Sequence, residues 1–230
     1  MQTKITLLNI DCMEYMAELP DKAFDLAIVD PPYGLGIDGQ KEQLNNKNPK
    51  HNRKYHEVKN WDNAIPDAGY FKELERVSSH QIIWGANYFV KHLNDAHKGW
   101  IFWFKGQEGL TMSDGEIAYS SFDKPTRQVK YNRNQLLLDR TIHPTQKPIK
   151  LYDWLLHNYA KPGQRILDTH LGSGSSAIAA YRFGVDFVGC EIDTDYYNAA
   201  NNRFKLETAQ ISMFDCADIT GINYSMFDLA

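Results

Sequence analysis

The chain has 230 residues, 43% apolar and 23% charged with a formal net charge of −4, the balance of a globular domain. A chain of this length buries roughly 70% of its unfolded surface and needs no staples. Its longest apolar runs, 24–29 and 100–104, fall far short of the roughly 20 residues of a membrane span, and no basic-then-apolar leader opens it. Cys12, Cys190 and Cys216 are widely spaced without a CxxC pair, which excludes a disulfide framework or zinc finger and predicts a cytoplasmic protein.

In chain order, short apolar stretches predict strands at 5–9, 24–29, 81–84, 100–104, 116–120, 165–168 and 186–190. Helical patterns occupy 12–19, ending at Pro20, then 151–159, closed by Pro162-Gly163, then 175–183, stopped by Gly184, and 195–207. Strands alternating with helices predict an α/β domain around a seven-stranded, mostly parallel sheet. The interval between 100–104 and 116–120 leaves no room for a long crossover helix, so one antiparallel strand is expected there. Residues 35–66 form a long polar insertion rich in Asn, Lys and His, expected to be mobile and functional. The tail from 208 to 230 carries no motif.

Charge is unevenly placed. Residues 41–60 hold six Lys/Arg against two Glu, and residues 121–150 hold seven against two Asp, whereas residues 186–230 hold two against eight acids. Two basic stretches on an acidic chain have the form of a phosphate-backbone footprint, since such contacts are local and screened within about 8 Å. Lys50, Arg53 and Lys54 in the first, with Arg127, Lys130 and Arg133 in the second, are the candidate contacts.

Two motifs carry chemistry. Asp168-Thr169-His170-Leu171-Gly172-Ser173-Gly174-Ser175 follows one predicted strand and opens a helix, where glycine permits a sharp turn and close ligand approach. Gly172-x-Gly174-x-x-Ala177, with Glu191 after the next strand to hold a ribose hydroxyl, suits a nucleoside cofactor, and nicotinamide and S-adenosylmethionine both fit. Asp30-Pro31-Pro32-Tyr33-Gly34 follows the strand at 24–29 directly. Its carboxylate falls at the sheet edge where α/β folds place ligands, its prolines stiffen the backbone, and Tyr33 offers an aromatic face. Acceptors beside a ring suit a planar group bearing –NH2. The eight His are scattered, and no metal site is expected.

Asp30-Pro31-Pro32-Tyr33 resembles the catalytic motif of DNA amino-methyltransferases, which act on N6 of adenine or N4 of cytosine, and the Gly172/Gly174 loop resembles their S-adenosylmethionine motif. The catalytic motif comes first, as in the circularly permuted β group. His143-Pro144-Thr145-Gln146-Lys147-Pro148 and Phe187-Val188-Gly189-Cys190-Glu191 resemble further family motifs, so the likeness covers most of the chain. It implies a Rossmann-like S-adenosylmethionine-dependent fold. It also implies a cofactor held by Asp11, Cys12, Asp30, Thr145, Lys147, Asp168, His170, Gly172, Gly174, Ser175 and Glu191. Asp30, Pro31, Pro32 and Tyr33 would perform catalysis on a base flipped from DNA, with Tyr33 stacking on it and Asp30 and the Pro31 carbonyl accepting its amino hydrogens. Asp at the head of the motif favours adenine N6 over cytosine N4. A restriction endonuclease and a second subunit are partners the family raises.

The chain departs from the family pattern in three places. His170 stands where an aromatic is common, and Phe104 where an acid often precedes the equivalent of Lys105. The interval 121–142, where target recognition usually lies, is short. A nicotinamide oxidoreductase, an idle nucleic-acid binder and a methyltransferase acting on RNA or a protein glutamine are the rival readings.

Overall fold

The computed structural model describes residues 3–36, 59, 62–93, 98–106, 108–109, 113–131, 142–143 and 145–215, residues 210–215 by their backbone alone. Its strands are β1 (Ile5–Leu8), β2 (Phe24–Val29), β3 (Ser78–Trp84), β4 (Trp100–Phe104), β5 (Gly115–Ser120), β6 (Arg127–Lys130), β7 (Arg165–Asp168) and β8 (Asp186–Cys190). They form one sheet in the order β1-β8-β7-β2-β3-β5-β4-β6. Among them β5 alone runs against its neighbours, pairing Trp84 with Ala118 on one side and Trp103 with Glu116 on the other.

The sheet thus holds eight strands, one more than the sequence predicts. The addition is β6, inside the basic stretch. Only Val129 of its four residues is apolar and buried, and the others project outward from the last strand of the sheet, too little alternation to read as a strand. The second omission is a helix. Of helices α1 (Cys12–Ala17), α2 (Ala68–Val77), α3 (Ile149–Tyr159), α4 (Ser175–Phe183) and α5 (Thr194–Asp215), α2 has no counterpart in the sequence reading. Its signals were present: Asp67 caps it through Gly69 N at 2.8 Å and Tyr70 N at 3.1 Å, and Tyr70, Phe71, Leu74 and Val77 fall on one buried face.

Period-two alternation sends successive strand residues to opposite faces. Leu26, Ile28, Ile82 and Trp84 pack with Leu151 and Leu155 of α3 and Ala177 and Ile178 of α4 on one face. Ala27, Val29 and Ile83 pack with Met16 of α1 and Leu74 and Val77 of α2 on the other. From β7 the chain proceeds through α4 to β8, whereas from β2 it proceeds through α2 to β3 on the opposite side. The adjoining strands β7 and β2 therefore flank the topological switch point, where such folds open a ligand crevice at the carboxyl edge.

Residues 37–58 of the insertion, 132–141 of the second basic stretch and 216–230 of the tail lie outside the described residues. Among the described residues, no helix is long and apolar enough to cross a membrane.

Candidate active site

The crevice holds two adjoining cavities. The larger, of about 350 Å³, lies over the ends of β1, β7 and β8, and the smaller, of about 70 Å³, lies beside β2 and β5. Asp30, Pro32, Thr145 and Lys147 line both. Asp30 leaves the end of β2. Glu116 reaches the same edge because β5 is antiparallel, so its first residues stand where its neighbours finish.

In the smaller cavity Asp30 and Glu116 are held by side chains. Tyr33 donates its hydroxyl to Asp30 Oδ1 at 2.5 Å, and Lys147 donates to Asp30 Oδ2. Lys147 Nζ also lies 3.0 Å from Glu116 Oε2 as an ion pair, while Lys105 donates to Glu116 Oε1. The Lys147 side chain is 3% exposed and sits 5.4 Å from the Trp84 ring centre. Burial foremost raises the Asp30 carboxyl, and the Lys147 ammonium only partly offsets it. Burial pushes Glu116 the same way, but Lys147 and Lys105 outweigh it and hold Glu116 down to about 2. For Lys147, desolvation disfavours the charge, yet Asp30 and Glu116 prevail and raise it.

Backbone geometry sets Tyr33. Gly85 follows β3 at φ +72°, and a Cβ there would lie 2.1 Å from Tyr33 Cε1, so the ring rests on bare glycine backbone. Tyr88 stacks on Tyr33 at 5.1 Å and 19°, and Phe89 meets it edge-on. The sequence predicts this ring as a stacking platform; in the structure Tyr88 covers one of its faces and its hydroxyl orients Asp30. Asp62, 1% exposed, accepts from Tyr33 N and Gly34 N, both at 2.8 Å, and from Leu35 N at 3.3 Å, fixing the turn after the prolines.

The larger cavity is organised by backbone. Glu191 accepts from Gly172 N at 2.8 Å and Asp193 N at 3.0 Å, and Asp11 caps α1 through Met13 N at 2.7 Å. Asp168 accepts from His170 N at 3.0 Å and Ser176 Oγ at 2.6 Å, and burial raises it to about 7. His170 is half-buried at the cavity wall, burial lowers its ring to about 4, and its Nδ1 lies 2.9 Å from Thr169 Oγ1.

Asp11, Cys12, Asp30 and Thr145 line the larger cavity, as do Lys147, His170, Gly172 and Glu191. Asp168, Gly174 and Ser175 do not reach its wall. Asp168 lies beneath the loop, Gly174 turns at φ +74° with the position of its missing Cβ 3.3 Å from Ala200, and Ser175 bonds Ser173 and Arg203. The structure thus places these three in the support of the loop, behind the residues that line the cavity. Lys147, expected beside the methionine end, is turned onto Asp30 and Glu116. Arg127 and Lys130 are exposed on β6, with Lys130 at the end nearest the site edge, while Lys50, Arg53, Lys54 and Arg133 lie outside the described residues. Sequence reasoning missed three groups: Glu116 as a site acid, Asp62 and Gly85. The β5 reversal was the available signal for Glu116; nothing local marks Asp62. Among the described residues no three His, Cys, Asp or Glu are grouped to hold a metal.

This architecture aligns with the M1.HpyAVI–SAM complex at TM-score 0.60 and 18% identity, covering 86% of this chain and 99% of that one. It aligns with the cytosine-N4-specific PvuII DNA methyltransferase at TM-score 0.58 and 13% identity, over 90% and 91% of the two chains. The fold is therefore that of the Rossmann-like methyltransferases. In sequence the chain is 28% identical over 212 residues to YubD of Escherichia coli strain K12, which bears a methylase name, spanning 84% of this chain and 87% of that one. Residues 72–202 match the family model described as DNA methylase, of the N6/N4 kind. The chain belongs to this family of DNA amino-methyltransferases, whose methyl donor is S-adenosylmethionine.

Proposed function

We propose that this protein transfers a methyl group from S-adenosylmethionine to the N6 amino group of adenine in DNA. The observation that carries the reading is Asp30, an acid on the boundary between a nucleoside-sized cavity and a second pocket. When bound, the cofactor supplies a methyl group activated on a sulfonium centre. The larger cavity fits such a group: Asp11, Asp30, Glu191 and Asp193 outnumber Lys147 along its wall, which suits a cationic ligand. A dinucleotide fits poorly, because its pyrophosphate would need the Gly172 N–H that Glu191 already holds.

The target base must leave the duplex to reach Asp30. Asp30 and the Pro31 carbonyl take the two amino hydrogens and draw the nitrogen lone pair out of conjugation. The bound cofactor would supply its methyl group to that nitrogen, and Asp30 would balance the positive charge the nitrogen gains until its proton leaves. The main work of the protein is positioning and a fixed negative charge beside the developing cation. Arg127 and Lys130, with the basic residues of the insertion, would meet phosphates. A carboxylate at the head of the Pro-Pro-Tyr turn is the feature that favours adenine, and cytosine N4 is the second reading because the same acceptors serve either amine.

Mass spectrometry of nucleosides from unmethylated DNA incubated with the protein and S-adenosylmethionine tests this. N6-methyladenine is expected. N4-methylcytosine reverses the base, and no methylated nucleoside despite cofactor binding overturns the reading.

A further inference from the structure

The smaller cavity contains more charge than methyl transfer requires. One carboxylate suffices to receive an amine, yet Asp30 is joined by Lys147, Glu116 and Lys105, two acids and two cations in a largely buried row. Burying ions is costly, and a packed apolar cluster is often as stable, so such a row calls for a reason other than stability. As it stands, the row obstructs the reaction. Tyr33 takes one oxygen of Asp30 and Lys147 the other, where the hydrogens of the target amine would go. A fixed ammonium against Asp30 also cancels the charge that should stabilise the positive nitrogen formed during transfer.

The geometry offers a way out. Lys147 Nζ already lies 3.0 Å from Glu116 Oε2, which accepts no hydrogen bond among the described residues, and the Trp84 and Tyr33 rings stand 5.4 and 5.8 Å from the same ammonium. A small rotation carries the cation from one acid to the other without exposing it. We propose, building on the methyl-transfer reading, that Lys147 is a resident cation with two seats, and that Glu116 is the positioning residue that takes it when the target amine docks on Asp30. In the resting site Lys147 fills in for the amine and partly offsets the burial that disfavours the Asp30 charge. With base present, Glu116 neutralises Lys147 and leaves the charge of Asp30 for the reacting nitrogen. Lys105 holds the other Glu116 oxygen and fixes that seat.

The groups facing Asp30 are Tyr33 of its own loop, Lys147 ahead of α3, Glu116 of β5 and, farther off, Tyr70 of α2, Tyr152 of α3 and Asp168 of β7. Removing Glu116 removes a negative neighbour and commits Lys147 to Asp30, so the acid limb of turnover moves to lower pH while its plateau falls. Removing Lys147 moves that limb to higher pH.

The test is steady-state methyl transfer to unmethylated genomic DNA between about pH 6 and about pH 9, with cofactor affinity measured by calorimetry. The proteins are wild type, Glu116→Gln, Glu116→Asp, Lys147→Met and the Glu116→Gln/Lys147→Met double variant. Glu116→Gln is expected to lower kcat about 10- to 100-fold with cofactor affinity held within about threefold. The double variant should recover about tenfold over Glu116→Gln at the high-pH end, because the offending cation is gone. Glu116→Asp should shift the limb in the same direction by less, and it serves if Glu116→Gln does not fold. Full turnover by Glu116→Gln, an unmoved acid limb, or a double variant worse than Glu116→Gln overturns the proposal while methyl transfer stands. No transfer by wild type overturns both.

Discussion

Glu191 and Asp11 of the larger cavity and Asp30 and Glu116 of the smaller one are similar acids held by different partners. Around the larger one, Glu191, Asp168 and Asp11 accept from backbone N–H groups of the loops they shape. Around the smaller one, Asp30 and Glu116 accept from the side chains of Tyr33, Lys147 and Lys105. A carboxylate bonded to backbone cannot change partners without moving the chain, so it fixes a shape. A carboxylate bonded to an ammonium on a flexible stem can exchange it. The cofactor side is thus a preformed receptacle, and the base side is a charge arrangement able to rearrange as its ligand arrives.

The largest effect that probes this contrast falls at the shared wall. Asp30→Asn keeps the shape and removes the charge, and should cost about 10²- to 10³-fold in kcat with cofactor affinity nearly intact. An equal loss in cofactor affinity, read by calorimetry, would show instead that Asp30 belongs to the receptacle. On the opposite side, Glu191→Ala frees two loop N–H groups and should weaken S-adenosylmethionine binding by about 1.5–3 kcal/mol, roughly ten- to hundredfold in Kd. An unchanged Kd would deny Glu191 its place. Gly85→Ala drives a methyl group into the Tyr33 ring at a left-handed φ, and should destabilise the fold by about 1–3 kcal/mol in urea melts while lowering turnover. Wild-type turnover in that variant would mean that the Tyr33 position is unimportant to Asp30.

The pH dependence of stability sharpens the comparison within the receptacle. Burial lowers His170 from an ordinary 6.5 to about 4, so as pH falls the unfolded chain takes the proton first. Its contribution is present above 6.5 and lost on the way down to about 4. Asp168, raised by burial from 3.8 to about 7, has the opposite sign: the folded state holds its proton more tightly, and stability declines as pH rises through that window. His170→Phe removes one slope and leaves the other. The wild-type-minus-variant stability should therefore rise with pH between about 4 and 6.5, and a pH-independent difference in urea melts would sink the assignment. The smallest effects concern the exposed edge. Arg127→Ala and Lys130→Ala should each reduce the log–log salt slope of DNA affinity by about one, alike for every DNA sequence, if β6 meets phosphate. A slope that stays the same would move the contact elsewhere.

Much of the fold is legible in the chain. The strand at 100–104 is a continuous apolar run, that at 24–29 is broken only by Asp25, and α4 lies between a glycine turn and Gly184. The antiparallel β5 followed from chain length alone, since too few residues separate it from β4 for a crossover. What escaped was β6, with one buried side chain in four, and α2, whose apolar face falls just after the polar insertion and was overshadowed by it. Within the site, Asp30 and Glu191 announce themselves by following strands. Asp62 does not, because its role is to satisfy backbone groups 27 to 29 residues away, a relation that no local pattern encodes.

The sequence by itself determined the layered α/β plan, the edge at which chemistry occurs and the family, because period, turn residues and contiguous motifs are local properties. Tertiary structure alone decided which acids share a cation. Asp30, Glu116 and Lys147 come from a parallel strand, an antiparallel strand and the approach to a helix, far apart in the chain, and they meet because reversing β5 brings its beginning to the edge where the other strands end.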